Sequence, residues 1–211
     1  MSIGKIGWNT AWLFARMAVS ALLGLATVRI VLNALGPVDY GVFSAVTGVV
    51  LFLSFADECL YLTGYRFLSR ETARTSDGSP ATTFSAFCGL TVGICVLQAS
   101  VGETIGTWFV RTHLHLPAEN VDAAVLTCHL YVVLRVFQTL KAPFDARIFG
   151  FERMRFLCLV SVAGSVLSLL AACGTLFVTE HRLETYVFAL LVVAGVELSA
   201  DVVYCRRQFG S

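Results

Sequence analysis

The sequence predicts an all-α, polytopic membrane protein built as a bundle of six transmembrane helices. Three observations predict it. Apolar residues fill 57% of the 211 positions and charged residues only 14%, about half the charged share of an average soluble domain. The mean hydropathy of +0.78 is concentrated in long blocks, more apolar surface than a soluble chain of this size can hide. Lys and Arg gather at alternate ends of those blocks, which is how orientation across a bilayer is encoded. The net charge of +1 gives no global basic balance, so membrane lipids are expected partners and nucleic acid is not.

Each block supplies the roughly 20 apolar residues that a hydrocarbon core demands. The expected spans are 8–33, 40–65, 83–108, 122–141, 156–179 and 185–205, and together they make residues 1–211 a single lobe. The first span ends at Asn33-Ala-Leu-Gly36-Pro37, where a glycine closes a helix and a proline cannot continue it; Asp39 is placed to cap the next. Ten of the 15 basic residues fall on one side: Lys5, Arg66, Arg70, Arg74, Lys141, Arg147, Arg153, Arg155, Arg206 and Arg207. Only Arg111 and Arg182 fall opposite, which predicts cytoplasmic termini. The first thirty residues lack a short apolar segment with a small-residue cleavage site, so no removable signal peptide is expected.

The seven cysteines read as small packing residues. Cys59, Cys88, Cys95, Cys128, Cys158 and Cys173 lie inside apolar blocks, Cys205 lies at a basic end, and there is neither a CxxC pair nor a His/Cys ligand spacing. No metal or other cofactor is therefore expected. Nor is catalysis, because the chain has no phosphate-binding glycine loop and no nucleophile beside a base. Glu103, Trp108, His113 and His115 read as an aromatic belt and a solvated loop.

Polar side chains at membrane depth are costly and generally face protein or a water-filled cavity. In the first span Asn9, Arg16, Ser20 and Thr27 share one stripe at about 100° per residue. Arg16 reads as a cation facing a cavity that receives an anionic head group; the alternative is an arginine snorkelling to the interface. Arg29, near Asn33 on another face, reads as a snorkelling or packing residue. In the second span Asp57 and Glu58 suggest ion coupling, although an ion pair with Arg16, Arg66 or Arg135 is the plainer account. In the fourth, Thr127, Tyr131, Gln138, Lys141 and Asp145 form a broad stripe with Arg135 at its edge, and they read as cavity lining. His129 lies on the opposite face as a packing histidine. The candidate substrate-binding residues are thus Asn9, Arg16, Arg135, Gln138 and Lys141.

Several stretches carry a family resemblance. Arg29-Ile-Val-Leu-Asn-Ala-Leu-Gly-Pro-Val-Asp39-Tyr-Gly41 resembles the first interhelical connection of polysaccharide and O-antigen flippases, members of the multidrug/oligosaccharidyl-lipid/polysaccharide exporter superfamily. Arg66-Phe-Leu-Ser-Arg-Glu71, Glu103-Thr-Ile-Gly-Thr-Trp-Phe109, Pro143-Phe-Asp-Ala-Arg-Ile148 with Glu152-Arg-Met154, and Tyr204-Cys-Arg-Arg-Gln-Phe209 agree in order and spacing. The resemblance implies an inner-membrane transporter of undecaprenyl-diphosphate-linked oligosaccharide for lipopolysaccharide or surface-polysaccharide biosynthesis, in which two six-helix lobes enclose a polar cavity. Six spans correspond to one such lobe, so a second lobe or a homodimer is the implied partner. Asp57-Glu58-Cys59 departs from the family pattern, and Arg16 and Arg135 lie outside the matching motifs. Two alternatives stand beside this reading: a non-transporting interaction protein or inactive remnant, and a drug or metabolite exporter of the same superfamily.

Overall fold

The computed structural model describes residues 3–51, 54–73, 80–113, 118–151, 153–178 and 181–209. Arg74, His115 and Glu152, named above, lie outside the described residues, as do the side chains of Lys5, Asn9 and Arg70. The described chain is helical: α1 (Ile3–Leu51), α2 (Ser54–Ala73), α3 (Pro80–Val101), α4 (Thr107–Thr112), α5 (Ala118–Gly150), α6 (Met154–Thr175) and α7 (Arg182–Phe209). A π-helical turn, Gly102–Gly106, joins α3 to α4.

Five helical stretches among the described residues are long and apolar enough to cross a membrane: Thr10–Leu51, Phe84–Thr112, Val121–Gly150, Met154–Thr175 and Arg182–Gln208. The sequence predicts six, and the difference lies in the first two. A straight helix of the 49 residues in α1 would reach about 74 Å, more than twice the roughly 30 Å hydrocarbon core. It breaks at Gly36, whose φ of 76° and ψ of 173° are open in practice only to glycine. The ψ value also suits a residue preceding proline, and Pro37 restarts the helix where its missing N–H costs nothing. Asp39 therefore falls within the first turn of the resumed helix instead of ahead of it. The expected second span is divided between residues 37–51 of α1 and α2. Asp57, Glu58 and Arg66 keep α2 from qualifying by itself, yet the two pieces follow α5 in register. Phe43 meets Tyr131 edge-on at 6.2 Å, Asp57 pairs with Arg135, and Leu60 packs in one cluster with Ala146.

Two further boundaries move. α5 runs through Pro143 to Gly150, so Lys141, Asp145 and Arg147, expected in or beside a basic loop, are helical. The third span, expected to end at 108, runs on to Thr112, and within it the π-turn carries Glu103.

One apolar cluster ties the helices together near the Gly36 break. Val31, Leu35, Val42 and Val46 of α1 pack with Val110, Ala124, Val125 and Cys128, and with Ala172, Leu183 and Tyr186. Arg182 locks the same region, donating Nη1–H to the Ala34 carbonyl at 2.9 Å and Nε–H to Val178 at 2.7 Å. At the opposite end Arg155 lies over the Trp8 ring at 5.5 Å and Phe156 stacks on Tyr204 at 3.7 Å. The start of α1 and the end of α7 thus share one end of the bundle, as an even number of passes requires. Phe14, Leu22, Leu25, Leu97, Leu170 and Phe188 stand exposed, a surface that water would oppose and lipid suits.

Candidate functional site

Helix α5 organises the polar interior because its polar residues occupy a broad arc, so they meet neighbours on two sides. Arg135, Gln138 and Thr139 turn toward α2 and α3; Lys141 and Asp145 turn toward α7.

On the first side Asp57 is the hub. Its Oδ2 accepts a hydrogen bond from Arg135 Nη2, and its Oδ1 accepts from Gln98 Nε2 at 2.8 Å and Thr139 Oγ1 at 2.6 Å. Gln98 Oε1, 2.8 Å from Thr139 Oγ1, is an alternative acceptor for that hydroxyl. Arg135 Nη1 donates to Gln138 Oε1 at 2.6 Å, while its buried Nε has no hydrogen-bond partner. The side chains of Arg135 and Asp57 are only 14% and 20% exposed, so each ion is stabilised chiefly by the other. Of the three arginines weighed for Asp57, the structure selects Arg135. A cavity of about 630 Å³ opens beside this network, lined by Leu51, Ser54, Phe55, Asp57, Glu58, Arg135 and Gln138. Glu58 is exposed and does not duplicate Asp57, as a 100° offset between successive helical residues dictates.

On the second side Lys141 Nζ donates to Glu197 Oε2 at 3.0 Å and lies 3.5 Å from Asp201 Oδ2. Asp145 lies within hydrogen-bonding reach of Asp201 and in the electrostatic field of Lys141, Glu197 and Arg16. Asp201 is completely buried. Glu197 lies directly on α6: a Cβ at Gly164 would fall 1.5 Å from Glu197 Oε1, so a side chain there requires the Glu197 carboxylate to shift.

Of the five candidate substrate-binding residues, Arg135 and Gln138 line the open cavity. Lys141 instead faces the second cluster, and Arg16, which does not line that cavity, acts electrostatically on Asp145 and Cys158. Asn9 shares the helix of Arg16. The Arg16 stripe meets α6 farther along, where Ser165 donates to Ser20 at 3.3 Å. Thr27 is turned back on its own helix, bonding the Leu23 carbonyl at 2.8 Å. His129, expected to pack, instead pairs through Nδ1 with Glu103. Cys95, Cys128, Cys158 and Cys205 are buried, but Cys59 is exposed.

Sequence reasoning missed Glu197, Asp201 and Gln98. The signal for the first two was present: carboxylates four residues apart in an apolar run share a helix face, and Lys141 and Asp145 repeat the same spacing on α5.

These observations define a multi-pass α-helical membrane protein with two polar clusters in its interior. No family model, characterised protein or solved structure matches the chain.

Proposed function

We propose that the chain is one lobe of a bacterial inner-membrane transporter that moves undecaprenyl-diphosphate-linked oligosaccharide between leaflets. Its termini are cytoplasmic in this reading, as the Lys and Arg distribution favours. The observation that carries the proposal is the open cavity lined by Asp57, Glu58, Arg135 and Gln138. Polar groups are retained at such depth where they serve a passage or a packed polar contact. The motifs from Arg29 to Phe209 supply the substrate class, and a second lobe or second copy supplies the facing wall.

A complementation assay for surface-polysaccharide export tests this. The charge-balanced pair Asp57→Asn with Arg135→Gln is expected to abolish export while the protein stays inserted at wild-type levels. Wild-type export by this double variant would overturn the cavity assignment.

One observation favours the second reading, a membrane interaction protein that transports nothing. Arg135 is already paired with Asp57, and Lys141 with Glu197 and Asp201, so a diphosphate must compete with an internal carboxylate for either. Failure of the purified protein to bind lipid diphosphate, together with a monomeric state in nanodiscs, would establish that reading.

A further inference from the structure

The cluster between α5 and α7 contains more acid than base. Asp145, Glu197 and Asp201 face Lys141, with Arg16 of α1 acting electrostatically on Asp145. Lys141 gives its closest contact to Glu197, at 3.0 Å, and lies 3.5 Å from Asp201. The remaining contact is between Asp145 and Asp201, whose carboxyl groups lie within hydrogen-bonding reach of each other. Two ionised carboxylates cannot bond, because both only accept. Accordingly Asp145 Oδ1 and both oxygens of the fully buried Asp201 have no hydrogen-bond donor. A single hydrogen placed between them would supply the missing donor.

We propose that Asp145 and Asp201 form a proton-binding site shared between α5 and α7, and that its occupancy sets the position of Lys141. With the proton bound, one O–H of the pair donates to the other carboxylate, the pair carries one negative charge, and Lys141 stays on Glu197. When the proton leaves for water, by way of the half-buried Asp145, no covalent bond other than that O–H changes. The pair then carries two negative charges, and Lys141 is drawn from Glu197 toward Asp201. Glu197 is thereby released at the place where it touches Gly164 of α6. One protonation event on α7 thus reaches α5 and α6 without a water-filled path between them. Cys205, one turn beyond Asp201, also faces the pair, and Arg147 faces Cys205; neither provides the missing donor. This site is independent of the identity of any transported substrate.

Infrared spectroscopy of the purified full chain in nanodiscs, with ¹³C-labelled aspartate, tests the proposal. Near neutral pH the wild type is expected to show one protonated aspartic acid carbonyl band that downshifts on labelling. Asp201→Asn and Asp145→Asn should each abolish it, because the surviving carboxylate then has no second carboxylate with which to share the proton. The side-chain ¹⁵N resonance of Lys141 should move with the same midpoint as the band. Absence of the band from the labelled wild type would overturn the proposal, whether or not the variants fold. So would its persistence in both variants, and so would its loss on adding sodium at constant pH, which would assign the site to a metal cation.

Discussion

Asp57 joins three helices through one carboxylate, since Arg135 and Thr139 belong to α5 and Gln98 to α3. Removing one partner of such a pair leaves the other as an uncompensated ion in a medium that solvates it poorly. Asp57→Ala is therefore expected to lower stability by about 3–5 kcal/mol. Asp57→Leu with Arg135→Met, which removes both charges and keeps the volume, should come within about 1 kcal/mol of wild type. Unfolding by SDS in mixed micelles measures both; equal losses in the two proteins would show that packing, not charge, dominates this site. Gly164 gives a second prediction at the same scale. Gly164→Ala should cost about 1–3 kcal/mol by overpacking against Glu197. Gly24→Ala, where nothing lies within 4 Å of the added carbon, should be neutral or stabilising by up to about 1 kcal/mol. The same assay with Glu197→Ala added should recover most of the Gly164→Ala loss.

Among the elements, α1 depends most on one backbone conformation. The space around Gly36 is open, so a side chain there meets no neighbour and the penalty for Gly36→Ala is purely conformational. It is expected to be about 1–3 kcal/mol, read as a lowered unfolding midpoint with no change in the apolar cluster around Val31 and Val42. This break was legible in the sequence because Gly-Pro carries its own geometry. The course of α5 was not: Pro143 removes one backbone hydrogen bond and reads as a stop, whereas packing on both sides of the helix keeps it running for seven more residues. Nor was the π-turn, since Gly-Glu-Thr-Ile-Gly has no local pattern that distinguishes it from an ordinary helical turn. Its bulge sets Glu103 against His129 and leaves Gly106 close to Cys128, where a Cβ would lie 2.8 Å from the sulfur.

At the scale of the whole molecule, composition and block length were sufficient for the all-α membrane fold, because each pass is a local property of about 20 residues. The polar interior was only partly legible. Asp57 with Arg135 could be weighed from depth and charge, but the choice among three arginines depended on which helices become neighbours. Lys141 drew attention and Glu197 did not, although they are partners, because the chain separates them by 56 residues and only the α5–α7 packing joins them. The shared location of the described helix ends leads to a further expectation. A reporter active only in the cytoplasm should give the same result fused at either terminus, active at both or silent at both; activity at one terminus alone would require an odd number of passes.

The Glu103–His129 pair has a consequence for the surrounding bilayer. Its side chains are 39% and 43% exposed, and both lie within helices apolar enough to cross a membrane. Acyl chains cannot solvate such a pair, so lipid must thin locally or admit head groups and water around it. Hydrophobic mismatch then becomes a property of one side of the protein and not of its whole circumference. In bilayers of increasing acyl length the wild type should lose stability faster than a Glu103→Gln, His129→Leu double variant. Equal losses in the two proteins would show that the bulge positioning Glu103 does not couple the fold to bilayer thickness.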